Sequence, residues 1–78
     1  MSGQTQLASS VERALDEYFK DLDGHAPHAV YDMVLNCVEK PMLEYIMRRA
    51  GGNQSKAAEI LGLNRNTLRK KLQQHDIE

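Results

Sequence analysis

Apolar positions recur along this chain at steps of three and four residues and never in a two-residue alternation, so every element the pattern predicts is a helix. Val11, Leu15, Tyr18/Phe19 and Leu22 share one face. Ser9-Ser10-Val11-Glu12 precedes them in the form of a capping box, in which Ser9 accepts from the backbone and Glu12 reaches back. A first helix is therefore expected over about 10–22, closed by Asp23-Gly24 and followed by a loop, His25–His28, around Pro27. Residues 1–8 show no periodicity and read as a flexible tail.

A second helix is expected from about Ala29 to Ala50. Val30, Met33, Val34, Leu35, Cys37, Val38, Met42, Leu43, Tyr45, Ile46 and Met47 cover far more of its circumference than the roughly 100° stripe of a surface helix. No single neighbour in so short a chain covers that many faces, whereas a second copy does. Residues 9–50 thus read as a two-helix dimerisation region, with Met33, Met42 and Met47 in the dimer core. Pro41 falls inside this run, where it removes one hydrogen bond and either kinks the helix or splits it in two.

Gly51-Gly52 ends the second helix and opens a helix-turn-helix region over 51–78. Asn53 is placed to cap a third helix at about 54–61, with Ala57, Ala58 and Leu61 inward, and Gly62 supplies a left-handed C-terminal residue. Asn64 is placed to cap a fourth helix at about 65–75, which buries Leu68 and Leu72, with Ile77 folding back over its end. Two short helices cross closely only if contact residues are small and the turn admits a positive φ; Ala57, Ala58 and Gly62 meet both needs. The fold class is all-α: a four-helix protomer with a C-terminal helix-turn-helix, in an intertwined homodimer.

Size and charge sharpen this picture. A single domain of 78 residues buries only about 60% of its unfolded surface, which again favours association. Cys37 is the only cysteine, reads as a small core hydrophobe, and fits a reducing, cytoplasmic compartment. No apolar run approaches the roughly 18 residues of a membrane span, and the first ten residues lack a signal peptide's basic and apolar regions. Residues 1–47 hold three cations against eight acids, a balance of −5, while 48–71 hold seven cations against Glu59, a balance of +6. A net charge of −1 thus hides a basic module of the kind that meets a polyanion.

The fourth helix concentrates the candidate chemistry. With Leu68 and Leu72 inward, Asn66, Lys70 and Gln74 lie opposite, Arg65 and Arg69 occupy one flank, and Thr67 and Lys71 the other. Arginine reads guanine edges, asparagine reads adenine, and threonine and lysine suit phosphates. Asn64, Arg65 and Asn66, at the start of the helix, are placed closest to base edges. Asn53, Ser55 and Lys56 begin the third helix, where free N–H groups favour a phosphate. A solvated charged face is the plainer reading, but Arg65 in a first turn opposes the helix dipole by about 0.3–1 kcal/mol, so stability alone does not select it. His25-x2-His28 lacks a second ligand pair, so no metal site is expected. The acidic faces of the first two helices read as solvated, with a protein-binding surface as the next reading. No catalytic constellation is visible, and neither an enzymatic activity nor a cofactor is expected.

From Val30 through Leu72 the chain resembles the Fis family of bacterial nucleoid-associated proteins (factor for inversion stimulation). The resemblance rests on the stretch GNQ–x2–AA–x3–LG–x–NR–x–TLRKKL and on Pro41 within the second helix. The motif is shared with the C-terminal domains of NtrC-type activators, but no ATPase or receiver region precedes it, which favours Fis. The resemblance implies a homodimer, located on the cytoplasmic nucleoid, that inserts paired recognition helices into successive major grooves and bends the duplex. It implies degenerate A/T-centred sites, with double-stranded DNA and a second copy as partners, and leaves RNA polymerase or other transcription proteins open as further ones. By motif position, Asn64, Arg65 and Lys70 approach bases, and Asn53, Ser55, Lys56, Thr67, Arg69 and Lys71 hold phosphates. About nine residues before the first predicted helix are too few for the β-hairpin arm that stimulates DNA inversion in the enterobacterial protein. Gln73, Gln74, Asp76 and Glu78 replace a more basic end, which implies weaker binding or less wrapping. The rival readings are a freestanding NtrC-type regulator domain and, from a different class, a dimeric helical adaptor.

Overall fold

A computed structural model describes residues 2–77, with side chains from residue 3 on, as four helices: α1 (Ser2–Leu22), α2 (Val30–Arg49), α3 (Gln54–Leu61) and α4 (Arg65–Gln74). The described residues contain no strand, in keeping with the all-α class. They divide into two compact units, one up to Val30 and one from Tyr31 onward.

The first unit is α1. It begins at Ser2, which corrects the expected start near residue 10 and sets Ser9 and Ser10 inside the helix rather than at its cap. Residues 2–8 contain no proline, and Gln4, Gln6, Leu7 and Ala8 are good helix formers that carry the helix through the weak Gly3. These residues are helical, not a hairpin; Met1 lies outside the described residues. Val11, Leu15, Tyr18 and Leu22 are half-buried along one face, as their spacing predicts. Tyr18 meets Phe19 edge-to-face at 5.5 Å, and Lys20 pairs with Asp16 one turn back at 3.0 Å. Asp23 and Gly24 take positive φ and end the helix.

In the second unit, α2 runs unbroken through Pro41, so of the two readings the split into two helices is excluded. The missing N–H costs one bond of the ladder, and the buried side chains beyond it, Leu43 and Met47, hold the continuation in place. At the end of α2 the Gly52 N–H donates to Met47 O at 3.0 Å and the Gly51 N–H to Arg48 O at 3.1 Å, with Gly51 at φ 64°. This is a Schellman closure, and glycine takes its left-handed position without a Cβ penalty.

The core is small and drawn from three helices. Leu43, Met47 and Ala50 meet Ala57 and Ala58 of α3 and Leu68 and Leu72 of α4, with Ile46, Leu61 and Ile77 packed against them. Leu43, Leu68 and Leu72 are the largest fully buried side chains, each worth about 1.5–3 kcal/mol by burial. Met47 therefore belongs to the protomer's own core rather than to a subunit interface. Cys37 departs from expectation and is exposed: it lies about 120° around α2 from Leu43, off the face that meets α3 and α4.

Candidate functional site

Both short helices start and stop where local chemistry dictates. The Asn53 side chain accepts from the Lys56 N–H at 3.1 Å and the Asn64 side chain from the Asn66 N–H at 2.8 Å, each satisfying a donor that the helix cannot. Between them, Gly62 sits at φ 74°, and the Leu63 N–H donates to Ala58 O at 2.9 Å. The two alanines let α3 and α4 approach, and Leu68 and Leu72 fill the angle between them.

With that pair fixed, the outward face of α4 follows from the helix period. Asn64, Arg65, Asn66, Thr67, Arg69 and Lys70 are all exposed, and no acidic residue occurs from Arg65 to Gln74. On α3, Asn53, Ser55 and Lys56 are exposed in the same way. The first turn of α4 carries Arg65 and no acid, so its charge works against the helix dipole with no local compensation.

Lys71 is the exception among the ten candidate residues. Its Nζ lies 2.8 Å from Oε2 of Glu39 on α2, and its side chain is only 32% exposed. The other carboxylate oxygen of Glu39 takes His75 Nε2 at 3.0 Å, so Nε2 carries the ring proton in this contact. Hydrogen bonds from Lys71 and then from His75 hold the Glu39 carboxyl below its ordinary pKa, against a smaller opposing effect of burial. Gln74 Nε2 adds a long contact to Asn36 Oδ1 at 3.4 Å. Glu39, His75 and Asn36 escaped sequence reasoning. Lys71 and His75, one turn apart, share a face, but nothing local names an acid 32 and 36 positions away as their partner.

Two short capped helices with a left-handed turn and a basic outer face on the second define a helix-turn-helix protein. The family model for bacterial regulatory proteins of the Fis family matches residues 35–75. A Fis-like DNA-binding protein of Neisseria meningitidis serogroup A is 58% identical over 71 residues, covering 91% of this chain and 90% of that protein. A Fis-like DNA-binding protein of Ralstonia nicotianae is 58% identical over 67 residues, covering 86% and 87%. One from Pseudomonas aeruginosa is 57% identical over 75 residues, covering 96% and 71%. The chain belongs to the Fis family of bacterial regulatory proteins. Among the described residues, no helix is long and apolar enough to cross a membrane.

Proposed function

We propose that this chain is a homodimeric, DNA-binding and DNA-bending transcriptional regulator of the bacterial nucleoid, which reads degenerate A/T-centred sites through the major groove and has no enzymatic activity. The observation that carries the reading is the exposed row Asn64, Arg65, Asn66, Thr67, Arg69 and Lys70, free of acids and with Arg65 where helix stability disfavours a cation. In this reading Asn64, Arg65, Asn66 and Lys70 face base edges, while Thr67, Arg69, Asn53, Ser55 and Lys56 hold phosphates. Relatives of 57–58% identity named as DNA-binding proteins support it.

The homodimer is supported by a second stripe on α2. Tyr31, Leu35, Met42 and Tyr45 recur at helical spacing and are 76%, 40%, 42% and 52% exposed, on a different face from Leu43 and Met47. An apolar stripe of that length is best covered by a second copy, since α2 then pairs two basic modules across a dyad. Paired recognition helices that engage one side of a duplex favour deformable A/T-rich centres and a bend. RNA polymerase or other transcription proteins are the further partners of such a regulator.

A gel shift on short A/T-centred duplexes, with circularly permuted probes for bending, tests the reading. About four ionic phosphate contacts per protomer imply a slope of log affinity against log salt near −7 for the dimer, at about −0.9 per phosphate. Absent or salt-insensitive binding would instead favour the helical adaptor.

A further inference from the structure

We propose that Glu39 is a positioning residue that limits how many cations α4 offers to DNA: it withdraws Lys71 from the phosphate-binding row and, through His75, ties the end of α4 to α2. This rests on the DNA-binding reading above.

The geometry is that of one carboxylate fully engaged by two donors from a single helix face. Lys71 approaches Oε2 at 2.8 Å and His75 approaches Oε1 at 3.0 Å, while the Glu39 side chain is only 16% exposed. Arg48, Arg49, Lys56, Arg65, Arg69 and Lys70 are all exposed, and among the described residues none of them has a carboxylate at ion-pair distance. Lys71 is thus the one cation of the basic module whose charge is already neutralised. Turning it toward a phosphate leaves Glu39 as a half-buried carboxylate short of a donor, which disfavours the exchange. In the unaltered protein Lys71 therefore releases no counterion on binding, whereas Arg69 of the same helix does.

Salt dependence separates this from a purely structural ion pair, which would change stability without changing the number of phosphates neutralised. On a short A/T-centred duplex, Arg69→Gln is expected to flatten the log–log salt slope by about 0.9 per protomer, and Lys71→Gln to leave it at the parent value. Glu39→Gln is expected to steepen it by about 0.9 per protomer, and Glu39→Gln combined with Lys71→Gln to restore the parent slope. Equal flattening by Arg69→Gln and Lys71→Gln overturns the proposal, as does a Glu39→Gln slope that does not move. If Glu39→Gln gives no cooperative melt, the comparison of Arg69→Gln with Lys71→Gln decides alone. No binding by the unaltered protein would instead remove the DNA-binding reading itself.

Discussion

The Leu63 N–H donates to the Ala58 carbonyl at 2.9 Å, and that bond closes the turn on which α4 is aimed. It forms because Gly62, between them, stands at φ 74°. Nothing lies within 4 Å of a Cβ built at Gly62, so a side chain there meets conformational strain and no clash. Gly62→Ala is expected to destabilise the protein by about 1–2 kcal/mol, read as a lower urea midpoint with an unchanged slope.

The role proposed for Arg65 separates binding from folding. Arg65→Ala is expected to raise thermal stability slightly, because it relieves an unfavourable dipole interaction of about 0.3–1 kcal/mol. The same change is expected to cost about 1–3 kcal/mol of DNA affinity and to relax base preference at one position of the site. Equal affinity of the two proteins across a panel of duplexes would remove Arg65 from the base-reading group.

In the proposed reading Asn64 serves two purposes, helix cap and DNA contact, that one substitution separates. Asn64→Asp keeps an acceptor for the Asn66 N–H, so unfolding stability is expected to stay within about 0.5 kcal/mol of the parent. It also places a negative charge at the DNA-facing start of α4, and gel-shift affinity is expected to fall at every sequence tried.

Met42 lies on the exposed stripe of α2 and outside the core cluster. Met42→Asp is expected to shift sedimentation from dimer toward monomer and to remove the concentration dependence of the thermal midpoint that a dimer shows. A variant that sediments unchanged would move the subunit contact away from this stripe.

Glu39 links stability to acid pH. Its folded-state pKa is depressed by Lys71 and His75, so its stabilising contribution is complete above the unfolded value and disappears as pH falls through the folded one. Glu39→Gln is expected to flatten the acid side of the stability profile, measured by urea unfolding from pH 7 to about 3. An acid limb that is identical in the two proteins would show that Glu39 contributes no linked protonation.

What could be read in advance was local. Asn53, Gly62 and Asn64 act within three residues of themselves, and α3 matches its expected bounds, 54–61, with α4 ending at Gln74. The start of α1 was misread because Ser9 and Glu12 satisfy a capping pattern that a helix already under way does not use. The exposure of Cys37 depends on which of several apolar faces of α2 meets α3 and α4, and periodicity alone does not rank them. The pairing of Lys71 with Glu39 joins positions 32 apart and became visible only with α4 laid against α2.

The junction between α2 and α3 has no slack. The Asn53 N–H donates to Ala50 O at 3.2 Å and the Ala57 N–H to Asn53 O at 3.0 Å, so the third helix starts on the closing bonds of the second. The stretch of α2 between its outer stripe and this junction therefore behaves as a ruler. A single residue inserted between Tyr45 and Ala50 would offset this junction by about 100° and about 1.5 Å from Leu43 and Glu39, which hold α4 against α2. In the proposed dimer, the distance along α2 from the outer stripe to this junction sets how far apart the two heads stand, and with it the operator spacing they would span.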